Sequence, residues 1–144
     1  MTGRRSILQM LLASLLLPLK ALAAAWNRPA FEASTIDGAK QVLDMRAEEN
    51  SAQIEIVAPD FAENGAVVQI EVMSRIAGTE AIAIFAERNP VPLVANFTFS
   101  HGAQPYVITR IKMAESQSLQ VVVKAGGRYY QANRDVAVSE GGCG

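Results

Sequence analysis

The stretch Leu119-Gln120-Val121-Val122-Val123-Lys124-Ala125-Gly126-Gly127-Arg128-Tyr129-Tyr130-Gln131-Ala132-Asn133 decides the fold class. Two runs rich in β-branched and aromatic residues flank a glycine pair, and a two-residue gap of that kind predicts a tight β-hairpin. The same period of two recurs upstream. Val107, Thr109, Ile111 and Met113 share one side of a run whose other side carries Ile108, Arg110 and Lys112. Residues 93–100 form a further strand with Phe97 and Phe99 on one face. It is closed upstream by Asn89-Pro90-Val91-Pro92, because proline cannot donate to a sheet ladder. Ile82, Ile84 and Ala86 mark another strand, as do Val68, Ile70, Val72 and Ser74, and Ile54, Ile56 and Ala58. Pro59, Glu63-Asn64-Gly65 and Gly78-Thr79 supply the breaks between them. Residues 136–139 carry a last strand to the C-terminal tail.

Ahead of the strands, Ser34 followed by Asp37 is a helix-start pattern, a short capping side chain with an acid three residues on. Ile36, Ala39, Val42, Leu43 and Arg46 follow at helical spacing, so one helix is expected over residues 34–47. Gly38 weakens it near its start. Trp26-Asn27-Arg28-Pro29 reads as a tether along the surface, and the adjacent acids Glu48 and Glu49 as a solvated face. The whole predicts a mainly β protein: an immunoglobulin-like antiparallel β-sandwich of seven or eight strands with a short N-terminal helix. A small open barrel is the alternative architecture. One domain is expected over residues 24–138, since no long repeat, low-complexity tract or linker divides it.

Residues 1–23 read as an export signal. Arg4 and Arg5 form a basic start, an apolar run follows over residues 7–19, and Ala21-Leu22-Ala23 resembles a cleavage site. The run is short for a membrane-spanning helix, which needs about 20 residues. The arginine pair before Ser6-Ile7-Leu8, with Lys20 near the cleavage region, looks like a twin-arginine signal. A periplasmic mature protein without a membrane segment is therefore expected. Cutting after Ala23 removes three cations and no acid, leaving 10 Lys and Arg against 14 Asp and Glu. That balance argues against nucleic-acid binding, which wants clustered cations.

Familiar catalytic patterns are missing. His101 is the sole histidine and Cys143 the sole cysteine, too few for an ordinary zinc site. A Cys143–His101 dyad would need the two side chains in hydrogen-bond contact, and a solvated loop histidine is the simpler reading. No glycine-rich phosphate loop follows a strand. Asn96-Phe97-Thr98 matches a glycosylation triplet, but it falls within a strand behind a bacterial-type signal. Neither a metal nor an organic cofactor is expected.

The tail Ser139-Glu140-Gly141-Gly142-Cys143-Gly144 carries what chemistry there is. Gly141, Gly142 and Gly144 favour neither helix nor strand and allow close approach of the backbone to another protein. Residues 139–144 therefore read as a flexible arm, spanning about 20 Å if extended at about 3.3–3.6 Å per residue. An odd cysteine in an exported protein points to intermolecular pairing or a reactive thiol. A thiolate can attack sulfur and hold the product covalently. Glycines build no catalytic pocket, so the arm suits carrying rather than catalysis. Two other classes stay open: an exported immunoglobulin-like adaptor whose tail cysteine forms an intermolecular disulfide, and a thiol enzyme.

With Gly141-Gly142-Cys143-Gly144 at the end of a β-rich exported domain, the sequence resembles the SoxY family, sulfur carriers of the periplasmic Sox system that oxidises thiosulfate. The likeness extends to Ala58-Pro59-Asp60-Phe61-Ala62-Glu63-Asn64-Gly65-Ala66 and Ile82-Ala83-Ile84-Phe85-Ala86-Glu87-Arg88-Asn89-Pro90. It includes Thr109-Arg110-Ile111-Lys112-Met113 and Val123-Lys124-Ala125-Gly126-Gly127. The resemblance implies a non-catalytic carrier paired with SoxZ, a second small β-sandwich subunit. It implies that the heme protein SoxAX joins thiosulfate to Cys143, that SoxB hydrolyses off sulfate, and that SoxCD, where present, oxidises the remaining sulfur. The family arm commonly ends Gly-Gly-Cys-Gly-Gly, and this chain has one glycine after Cys143.

Overall fold

The computed structural model describes residues 27–100 and 102–139. Its central hairpin joins β8 (Gln117–Ala125) to β9 (Arg128–Val138), paired antiparallel from Ala125↔Arg128 to Gln117↔Val136. Gly126 and Gly127 both have positive φ, 58° and 74°, which is the backbone a two-residue hairpin with matching twist requires. A Cβ at either position would meet no atom within 4 Å, so only the backbone demands glycine. Replacing both by alanine is therefore expected to cost about 1–3 kcal/mol, visible as a lower urea midpoint at unchanged slope. An unchanged midpoint would mean the turn tolerates another conformation.

Around this hairpin the larger sheet runs β1-β9-β8-β5-β6, with β1 over Glu48–Asn50, β5 over Thr79–Ala86 and β6 over Leu93–Thr98. The smaller sheet runs β2-β4-β7, formed by Ile54–Val57, Val68–Ser74 and Tyr106–Ile111. The long pairings are antiparallel. Two short strands add parallel pairings to β9: β1, and β3 (Phe61–Ala62). Residues 128–133 and 136–139, read as two strands, are one continuous β9. Arg134 sustains it across the polar middle by donating to the Asp60 carboxylate (2.7 Å) and the Ala58 carbonyl (3.2 Å).

Alternation along the strands builds two cores. Ile82, Ile84, Val121 and Val123 meet Val68, Ile70, Val72 and Ile111 between the sheets. Ala83, Phe85 and Val122 point the other way, into a second core with Ala30, Ala39, Leu93 and Tyr129. Strands β5 and β8 are thus apolar on both faces, which is why Val121-Val122-Val123 reads as an unbroken run. The lid on this second core is helical.

The helix expected over residues 34–47 forms over a shorter span, and a second short helix precedes it. Asn27, Arg28 and Pro29 are not a surface tether: Asn27 caps α1 (Arg28–Glu32), and Pro29 lies in its first turn. Ala33 is extended (ψ 134°), and the chain restarts at Thr35, whose hydroxyl accepts from the Gly38 N–H at the start of α2 (Ile36–Val42). A Cβ on Gly38 would lie 2.9 Å from the Thr35 Oγ1, so this glycine makes room for the cap as well as weakening the helix. Helix α2 ends before Asp44, which takes a left-handed φ of 54°. Glu48 is not a solvated acid either: its side chain is 17% exposed and pairs with Lys40 at 2.5 Å. No helix among the described residues is long and apolar enough to cross a membrane.

The outer face of the small sheet is unusually apolar for a surface. Val57, Tyr106 and Ile108 are exposed there, beside the half-buried Met73. The Tyr106 hydroxyl donates to Glu71 Oε2 at 2.8 Å. That hydrogen bond to a carboxylate holds the phenol above its ordinary value of 10.0.

Candidate functional site

Strand β9 leads from the hairpin to the C-terminal tail, and its last residues are tied down on both sides. The Ala137 N–H donates to the Asp60 carbonyl (3.0 Å), and β3 pairs Phe61 with Ala137 and Ala62 with Val138. On the other side the Val138 N–H donates to Ser116 Oγ at 2.8 Å. The Ser139 N–H donates to the Ala62 carbonyl at 3.0 Å, and the Val136 and Val138 side chains are buried in the inter-sheet core. The chain is therefore fixed through Ser139. Residues 140–144, which include Gly141, Gly142, Cys143 and Gly144, lie outside the described residues. Cys143 is four residues beyond the last anchored one, a reach of about 13–14 Å along the backbone, shorter than the whole tail would give.

The surface around this anchor is polar on one side of β9 and partly apolar on the other, where Phe61 and Val67 are exposed. Glu87, Arg88, Ser116 and Asp135 line a groove on one side of the end of β9, and Phe61, Glu63 and Val67 line one on the other. Two of the local cations are paired, Arg88 with Glu115 at 3.6 Å and Arg134 with Asp60.

His101 also lies outside the described residues. Ser100 and Gly102 line a pocket with Thr79, Glu80 and Gly126, at the hairpin end of the large sheet. Strand β9 separates that end from Ser139 by eleven residue steps, about 36 Å of strand. Both members of the Cys143–His101 dyad weighed above lie outside the described residues. Among the described residues no group of three or more His, Cys, Asp or Glu side chains is placed to hold a metal.

Sequence reading missed the anchor residues Asp60, Ala62 and Ser116. Asp60 and Ala62 pair with residues more than 70 positions away, and no local pattern marks Ser116. Ser116→Ala leaves the Val138 N–H without its partner and is expected to cost about 1 kcal/mol. Hydrogen exchange at Val138 and Ser139 should accelerate while the amides of β8 stay protected. Unchanged exchange at both positions would mean β3 alone holds the strand.

The model of the sulfur oxidation protein SoxY family matches residues 39–143, well over half of the chain and ending on the cysteine. The chain belongs to the SoxY family. It is similar to the structure of the sulfur carrier protein SoxY from Chlorobium limicola f thiosulfatophilum, at 39% identity and a TM-score of 0.65, over 72% of this chain and 94% of that one. The superoxide reductase (neelaredoxin) from Ignicoccus hospitalis is similar at 18% identity and a TM-score of 0.53, over 60% of this chain and 80% of that one. At that identity the likeness is one of fold. Among curated proteins none matches significantly. The SoxY match takes in Gly141, Gly142 and Cys143, and Gly144 falls just beyond it.

Proposed function

We propose that this SoxY-family chain is a periplasmic carrier that holds sulfur-oxidation intermediates on Cys143 and presents them to other Sox proteins. The observation that carries this reading is the anchoring of β9 through Ser139, immediately before a tail of glycines around the sole cysteine. A rigid base with a short glycine-rich extension lets a thiol enter another protein's active site while the body stays outside. Residues 1–23 act as a twin-arginine export signal. The mature chain pairs with a SoxZ-like subunit.

In loading, the Cys143 thiolate and the terminal sulfur of thiosulfate form an S–S bond, and the electron pair released passes to the heme protein SoxAX. Water then cleaves the sulfone group as sulfate, in the reaction assigned to SoxB, and a persulfide stays on Cys143. SoxCD, where present, oxidises that sulfur further. The chain itself catalyses none of these steps; Gly141, Gly142 and Gly144 serve only to let the thiol turn.

Loading is tested with thiosulfate radiolabelled in its outer sulfur, the purified chain with its partner subunit, and SoxAX. Label should appear on the chain and leave on reduction. Label that never appears on the chain would remove the carrier reading. A reducible link from Cys143 to another polypeptide, found instead, would favour the adaptor.

A further inference from the structure

Residues 112–116 join β7 to β8 beside the end of β9, and side chains rather than strand pairing hold this loop. Asn89, in the turn between β5 and β6, donates from Nδ2 to the Lys112 carbonyl at 2.7 Å and accepts at Oδ1 from the Ala114 N–H at 2.9 Å. The same Oδ1 accepts from Gln117 Nε2 at 2.9 Å. Gln117 Nε2 also donates to the Glu115 carbonyl at 3.0 Å, and its Oε1 accepts from the Arg88 N–H at 2.7 Å. Gln117 is only 7% exposed, so water could not replace the bonds it makes. The Met113 N–H adds a bond to the Gly65 carbonyl at 2.7 Å, three residues beyond β3.

This loop reaches both clamps on the end of β9. The Ser116 hydroxyl accepts from the Val138 N–H at 2.8 Å and donates to the Val138 carbonyl at 3.3 Å. It thereby stands in for a strand neighbour, because the ladder between β8 and β9 ends at Gln117↔Val136. Through Gly65 the loop also braces the side on which the Ala62 carbonyl holds Ser139. A serine on an unordered loop would hold Val138 poorly, since each bond would first have to overcome the entropy of ordering the loop. Asn89 and Gln117 have ordered it beforehand.

We propose that Asn89 and Gln117 are positioning residues for Cys143: acting through Ser116, they fix where and in which direction the tail leaves the body. The role rests on the carrier reading, in which the tail presents cargo. With the clamp closed, Cys143 stands four residues from its anchor at Ser139. With Ser116 released, the two residues of β3 are too short to hold the chain alone. The anchor then retreats to Val136, seven residues from Cys143, and the reach grows from about 14 Å to about 23–25 Å. A longer tether lowers the concentration of its end at a fixed target, roughly as the −3/2 power of its length or more steeply. Delivery of the thiol into the site of a docked partner should slow by about two- to fivefold.

A spectroscopic and a kinetic readout on the whole exported chain with its partner subunit test this. A nitroxide attached to Cys143, the sole thiol of the chain, broadens the NMR signals of the body amides it visits. Asn89→Ala and Ser116→Ala should each spread the broadening over more of the body than in the unaltered chain. The double variant should add little, because the two residues act in series. Ser116→Thr, which keeps the hydroxyl, should match the unaltered chain. In SoxAX-dependent loading from labelled thiosulfate, kcat should fall about two- to fivefold in both alanine variants with KM for the carrier little changed. Loss of folded chain alone would instead raise the apparent KM at constant kcat. Should Asn89→Ala not fold, Asn89→Asp carries the same expectation, since it keeps the acceptor and loses only the donation to the Lys112 carbonyl. An unchanged broadening pattern, an unchanged kcat, or additive effects of the two substitutions overturns the positioning role and leaves the carrier reading standing. Failure of the unaltered chain to load overturns the carrier reading itself.

Discussion

Cys143→Ser is expected to leave the melting curve unchanged and to reduce thiosulfate-dependent loading to background. The substitution lies four residues beyond the last anchored position, Ser139, so its effect on stability should stay within about 0.5 kcal/mol. Its effect on chemistry is total because the sequence offers no second thiol. A serine hydroxyl cannot form the S–S bond that holds the cargo, and it is not ionised at neutral pH as a thiol partly is. The paired measurements are a thermal melt and the radiolabel assay with partner proteins. Loading that survives the substitution would place the cargo elsewhere.

The largest expected loss of stability comes from Phe85→Ala. Phe85 is fully buried on the side of β5 that faces the helices, packed in the core that contains Ala30, Ala39, Val122 and Tyr129. The Lys40 ammonium stands 5.8 Å from the centre of its ring, so the ring supports the helical lid by a cation–π contact as well as by burial. Truncation to alanine removes most of the large side chain from a cluster that is otherwise small, and costs about 3–5 kcal/mol. Against the usual domain stability of about 5–15 kcal/mol this is a large share. Urea unfolding followed by circular dichroism measures it. A loss below about 1 kcal/mol would mean that the helices collapse onto the vacated space, or that their docking contributes little.

Where sequence carried a local signal, the fold was legible. The Gly126-Gly127 turn demanded positive φ at two successive positions, and period-two alternation located the long strands of both sheets. What stayed hidden depended on distant partners. Strand β3 has two residues and exists because Phe61 and Ala62 meet Ala137 and Val138. Strand β1 likewise needs Tyr129, Tyr130 and Gln131 beside it. The helical region misled at both ends: Asn27 and Pro29, read as a tether, start a first short helix, and the second is capped by Thr35 rather than Ser34 and stops at Val42, before the left-handed Asp44. The polar run Asn133-Arg134-Asp135 looked like a break until Asp60 supplied Arg134 with a partner.

The reading of the tail, by contrast, rests on composition, one cysteine among glycines, and the SoxY family match extends through that cysteine. The structure adds where the tail begins. Ser116, Asp60 and Ala62 fix the chain through Ser139, and this shortens the reach of the thiol to about 14 Å. On the proposed carrier reading, that length limits how deep a partner's active site can lie beneath its surface.

The most direct test of the carrier reading is the intact mass of the chain isolated from the periplasm of thiosulfate-fed cells, before and after reduction. Mass increments of sulfur or of a thiosulfate-type group, localised to Cys143 and lost on reduction, are the predicted result. A bare thiol in every preparation from such cells would contradict it.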